Sequence, residues 1–116
     1  MFADPQSVTV NSVAKSMPRV SSKDLSSTYS MVDGTFKLTI SHNPTKDRIR
    51  SMVRIDQRAI VTNPLDSTND YDTLSFYIVL DRPVYGFTTV QIEQLATGFL
   101  AWYTTGNVDK LIGTES

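Results

Sequence analysis

Two stretches of the chain alternate between apolar and polar residues with the two-residue period of a half-buried strand. In "TFKLTISHN" (35–43), Phe36, Leu38, Ile40 and His42 fall on one side, and Thr35, Lys37, Thr39 and Ser41 on the other. In "YDTLSFYIVLDRP" (71–83), Leu74, Phe76, Ile78 and Leu80 oppose Thr73, Ser75, Tyr77 and Val79, and Pro83 and Gly86 then break the pattern. Shorter strands are expected earlier. "SVTV" alternates, and Val13 falls out of phase with it, which places a turn or bulge near Asn11-Ser12. "MPRVSSKD" (17–24) reads as loop, and "STYSMV" resumes a strand before Asp33-Gly34, a hairpin signal because both residues tolerate positive φ.

Residues 48–58, "RIRSMVRIDQR", admit two readings, because Arg50, Arg54 and Arg58 also recur every four residues as on one helix face. A helix would put Asp56 in the middle of an apolar stripe of Ile49, Met52, Val53, Ala59 and Ile60, a costly place for a carboxylate. A strand instead gives Ile49, Val53 and Ile55 one face, and Arg48, Arg50, Arg54, Asp56 and Arg58 the other. The strand is therefore expected, with "HNPTKD" as the turn before it and "NPLDSTND" (63–70) as a polar loop after it.

From Thr88 the period changes. Thr88 and Gln91 have the spacing of a capping box, and Ile92, Leu95, Ala96, Phe99, Trp102 and Tyr103 then recur at helical intervals. Gly106 is expected to stop this helix, Asn107 to cap a short second one and Gly113 to end it. Strands first and helices last predict an α+β fold with helices on one face of an antiparallel sheet.

Composition narrows the function classes. The 116 residues suit one domain and are 40% hydrophobic and 20% charged. There is no cysteine for disulfides or thiolate metal sites, and no apolar run approaches a membrane span. The first residues lack a signal peptide's basic and apolar regions, so the protein is expected to stay where it is made. A single histidine, no phosphate-binding glycine loop and no nucleophile motif argue against an enzyme. His42 fits a structural role beside a turn, and "DSTNDYD" (66–72) lacks the glycine-centred spacing of a calcium loop. No metal and no cofactor are expected.

Charge is unevenly placed. The net of −1 conceals +4 over residues 35–58 and −5 over residues 59–116, and four of the six arginines lie within 48–58. If the three long strands are neighbours, their second face carries Lys37, Thr39, Ser41, Arg50, Arg54, Arg58, Thr73, Ser75 and Tyr77. Cations neutralise phosphates, hydroxyls reach phosphates or base edges, and a tyrosine stacks on an unpaired base, so the platform suits single-stranded RNA. Patterning alone is equally consistent with an ordinary solvated sheet face.

The segment "QLATGFLAWYTTGNVDKLIGTES" resembles the C-terminal end of single-stranded RNA bacteriophage (levivirus-type) coat proteins, its motif lying mainly in residues 106–116. Length and element order are similar to that family over the whole chain. The resemblance implies one coat-protein domain over 1–116: an N-terminal β-hairpin region (1–33), a main antiparallel five-stranded sheet (34–85) and two C-terminal helices (88–113). It implies that two subunits interlock, with Leu95, Gly98, Phe99 and Trp102 at the dimer interface, and that dimers build a quasi-equivalent icosahedral shell. Asn63, Pro64, Leu65, Asp66, Ser67, Thr68, Asn69 and Asp70 would then form the loop between dimers. The platform residues become candidates for binding genomic RNA inside the virion, with an operator hairpin as a further ligand and assembly in the bacterial host cytoplasm. Two other classes remain open: a small non-viral dimeric RNA-binding domain, and a purely structural oligomer whose arginines pair with acids across subunits.

Overall fold

The structure is a computed structural model that describes residues 2–62, 64–66 and 68–115. The chain falls into two compact units, 1–82 and 83–116. The first holds a two-stranded hairpin, β1 (Gln6–Val10) and β2 (Val13–Met17), and a five-stranded sheet. That sheet runs in chain order: β3 (Arg19–Lys23), β4 (Ser26–Ser30), β5 (Phe36–Pro44), β6 (Arg48–Thr62) and β7 (Asn69–Pro83). The second unit holds α1 (Thr89–Trp102) and α2 (Thr105–Ile112). Strands first, helices last and a five-stranded sheet agree with the expected α+β fold, and the 48–58 segment is a strand; the sheet, however, takes its first two strands from the 1–33 region and does not begin at residue 34.

Turn chemistry sets the hairpins. Val10 pairs with Val13, leaving Asn11 and Ser12 as a two-residue turn in which both have positive φ (52° and 63°). This twist matches that of the flanking strands. The turn before β5 is built differently from the expectation. Only Gly34 has positive φ (75°), while the Asp33 carboxylate accepts from the Thr35 amide (3.0 Å) and hydroxyl (2.8 Å). Asp33 thus works through its side chain, not its backbone.

The core lies where the β1–β2 hairpin packs on the apolar face of the sheet. Met17, Tyr29, Phe36, Leu38 and Ile40 are buried, with Val8, Val10, Met31 and Ile55 packed against them. Each fully buried large side chain contributes roughly 1.5–3 kcal/mol. The buried Tyr29 keeps its hydroxyl satisfied through Arg19, whose Nη2 donates to it at 3.1 Å and to the Phe2 carbonyl at 2.7 Å. The Arg19 amide also donates to Asp4 Oδ1 at 2.8 Å, so one residue ties the start of the chain to the sheet.

Three expectations need correction. "MPRVSSKD" is not loop: residues 19–23 form β3, an edge strand whose register shifts between Arg19 and Ser21. The shift scrambles the alternation that would have revealed it. Asn69 and Asp70 belong to β7 and not to the loop, while Asn63 and Ser67 lie outside the described residues. Finally, Gly106 does not stop α1. That helix ends at Tyr103, Thr104 occupies the N-cap position of α2, Gly106 sits inside α2, and Asn107 donates back to the Trp102 carbonyl. Gly113 does end α2, and the Thr88–Gln91 capping box is present in both directions.

Candidate nucleic-acid interface

Strand pairing decides which side chains share the face opposite the core. In β5 and β6, Lys37 stands across from Asp56, Thr39 from Arg54, Ser41 from Met52 and Asn43 from Arg50. Residues directly opposite point the same way, so the arginines and the β5 hydroxyls lie on one side. Side-chain contacts fix the parity of β7. Ser75 bonds to both Arg54 and Asp56, the Arg58 guanidinium lies 4.1 Å from the Tyr71 ring centre, and Arg48 reaches Asp81 at 2.9 Å. Odd positions of β7, including Thr73, Ser75 and Tyr77, therefore share the face of Arg50, Arg54 and Arg58.

The face extends further than sequence reasoning took it. In β4, Ser26 pairs with Ser41, Thr28 with Thr39 and Ser30 with Lys37. In β3, Ser21 pairs with Thr28 and Lys23 with Ser26. Five polar residues thus continue the platform. The alternating hydroxyls of "SSTYS" around the buried Tyr29 were the available signal for β4, whereas β3 carried none beyond its serines.

The cations of the face differ in their surroundings. Arg54 Nε donates to Asp56 Oδ1 at 2.9 Å and its Nη2 to the Ser75 hydroxyl at 3.2 Å. Arg48 is tied to Asp81, both about half exposed, and Arg58 is stacked on Tyr71. Among the described residues, the Arg50 side chain has no ion pair, hydrogen bond or ring contact, and Lys37 has only the field of Asp56 nearby. Partial burial pushes the Asp56 carboxyl upward, but the Ser75 hydroxyl and the Arg54 guanidinium, with Lys37 behind them, outweigh it and leave its pKa below the ordinary value. Asp56 is ionised at neutral pH.

Tyr77 is 60% exposed on the polar face, open to a stacking partner. His42 is exposed and its Nδ1 lies 2.8 Å from the Ser51 hydroxyl on the neighbouring strand. In the loop, Asp66 accepts from the Thr68 amide (3.1 Å) and hydroxyl (2.7 Å), and those bonds hold its pKa below the usual carboxylate value. Leu65 beside it is 93% exposed. In α1 no described residue is buried, Phe99 and Trp102 stack with centroids 5.8 Å apart, and no described atom of the helical unit beyond the adjoining backbone comes within 4 Å of where a Gly98 side chain would begin.

A hairpin, a five-stranded meander and two terminal helices are an architecture found in bacteriophage capsids. The virus-like particle of bacteriophage AVE019 shares it with a TM-score of 0.81 at 10% identity, covering 100% of this chain and 98% of that one. The bacteriophage GA capsid protein gives 0.62 at 12% identity over 91% and 88% of the two chains, and the bacteriophage EMS014 coat protein 0.61 at 18% over 87% and 72%. At these identities the likeness is one of fold. Sequence supplies the family: residues 3–83 match the model of the phage phiCb5 coat protein, and the chain belongs to that family. No curated protein sequence matches it. The family match rests on the hairpin and sheet, whereas the resemblance first seen lay in residues 106–116; the AVE019 likeness spans both. The chain is a capsid protein, and its place is the virion.

Proposed function

We propose that this capsid protein acts as a dimer that assembles into an icosahedral shell and holds single-stranded genomic RNA on the polar face of its sheet. The observation that carries the RNA reading is the sorting of the two faces. One face is apolar and partly covered by the hairpin; the other gathers Lys23, Lys37, Arg50, Arg54 and Arg58 among hydroxyls and Tyr77. Arg50 and Lys37 are the phosphate contacts, since neither is held by an ion pair as Arg54 is nor stacked on a ring as Arg58 is, and Tyr77 is the stacking platform. An RNA hairpin from the phage's own genome would bind the same face, and its capture would make the protein a translational repressor. The purely structural alternative draws less support, because Arg48 and Arg54 already find acids within their own chain.

Size-exclusion chromatography with absorbance at two wavelengths tests the proposal. A megadalton particle carrying nucleic acid supports it. A small RNA binder would favour the non-viral domain, and an empty oligomer the structural one. The loop of Pro64, Leu65, Asp66 and Thr68, with Asn63 and Ser67, is assigned to contacts between dimers, where the exposed Leu65 supplies apolar area. Deleting several of these residues is expected to leave a folded dimer and impair or alter shells; normal particles from the deletion would refute the assignment.

A further inference from the structure

We propose that Asp56 is a base-selecting residue of the polar face, its free carboxylate oxygen accepting from the amino group of an unpaired base and disfavouring uracil. The proposal rests on the reading of this face as RNA-binding. A carboxylate in a field of cations is unexpected if the face only collects phosphates, because it repels them. Asp56 nevertheless lies among Lys37, Arg54 and Ser75, midway along β6.

Its two oxygens are not equivalent. Oδ1 accepts both Arg54 Nε and the Ser75 hydroxyl, which fixes the plane of the carboxylate. Oδ2 accepts nothing from the described residues. No described side-chain polar atom is both buried and unpartnered, so Oδ2 opens to solvent. The side chain as a whole is only 20% exposed, which leaves a narrow, oriented acceptor whose immediate neighbours are Lys37, Arg54 and Ser75.

Chemistry decides what fits. Phosphate is repelled at Oδ2 and goes to the neighbouring cations, so a base edge is left to occupy the acceptor. Cytosine N4 and adenine N6 offer amino hydrogens, and a carboxylate is a recognised acceptor for the cytosine amine. Uracil offers only N3–H, flanked by two carbonyl oxygens that the carboxylate repels. The depressed pKa of Asp56 keeps the acceptor charged at neutral pH.

The test measures binding of RNA-free, full-length protein to labelled oligocytidine and oligouridine of equal length. Oligocytidine is expected to bind about five- to tenfold tighter. Asp56→Asn, which can donate to the uracil carbonyl and removes the charge, is expected to bring the ratio towards one without flattening the salt dependence. If Asp56 only positions Arg54, the variant weakens both oligomers in parallel and the ratio survives, which overturns the proposal. A probe that leaves the protein untouched gives the same answer should the variant misfold. Oligomers of N4,N4-dimethylcytidine, which lack the amino hydrogens, are expected to fall to the oligouridine level, and unchanged affinity refutes base selection. Equal wild-type binding of both oligomers defeats this proposal alone, whereas no binding of either defeats the RNA reading of the whole face.

Discussion

Arg50 and Arg54 stand four residues apart on one face of β6, yet they enter different electrostatic settings. Arg54 is shared between Asp56 and Ser75, while Arg50 has no such partner. RNA gains a phosphate contact at Arg50 without displacing anything, so Arg50→Ala is expected to lower the slope of log affinity against log salt by about 0.7. Binding titrations at several salt concentrations measure this, and an unchanged slope would put Arg50 on the wrong face. Tyr77→Ala should instead lose about 1–3 kcal/mol of binding with little change in slope, because a stacked base carries no counterions. Arg54→Ala acts through Asp56. Since Asp56 has a depressed folded pKa, its contribution is complete above the ordinary carboxylate value and is lost as pH falls through the depressed one. The stability gap between wild type and Arg54→Ala is therefore expected at neutral pH, at roughly 1 kcal/mol or less for so exposed a pair, and to close in strong acid. Urea unfolding at the two pH values tests it; a gap that widens in acid would contradict the account.

At the level of elements, local chemistry makes quantitative demands. Ser12 holds φ of 63°, a conformation that costs an L-residue energy and glycine almost none. Ser12→Gly is expected to stabilise the hairpin by about 0.5–1 kcal/mol, and a β-branched residue there to destabilise it. Thr88→Ala, which removes the hydroxyl half of the capping box, should cost about 1 kcal/mol, and denaturant melts of both variants decide. These features explain what could be read in advance. β5, β6, β7 and the start of α1 announced themselves because each has a full period of apolar positions or a two-sided cap. So did the face of Lys37, Arg50, Arg54, Ser75 and Tyr77, since alternation fixes parity once a strand is recognised. β3 stayed hidden because an edge strand with a register shift and an exposed Val20 carries no clean alternation. Gly106 misled because glycine is read as a stop, although in the first turn of α2 it costs little. The pairing of Arg54 with Asp56 and Ser75 depends on cross-strand neighbours, which no single-strand pattern contains.

For the whole molecule the decisive fact is how much apolar surface the chain leaves uncovered. Leu95, Phe99 and Trp102 in α1 are 74%, 64% and 55% exposed, and Leu74, Phe76 and Ile78 in β7 are 70%, 43% and 42% exposed. Soluble monomers rarely carry such extended apolar surfaces, and a second copy of the chain covers them in the proposed dimer. Dilution to nanomolar concentration should therefore yield unfolded chain or intact dimer and no folded monomer. Gly98 supplies the sharper test. With no described atom of its own unit beyond the adjoining backbone within 4 Å of its missing side chain, Gly98→Ala meets no obstacle within that unit and should favour the helix by about 1 kcal/mol. If the partner subunit crosses α1 at Gly98, the added methyl instead pushes the two copies apart. Gly98→Ala is then expected to weaken dimerisation and reduce particle yield while helix content holds or rises. Sedimentation and circular dichroism on the same samples separate the two effects, and a variant that dimerises as well as wild type and gains stability would remove Gly98 from the interface.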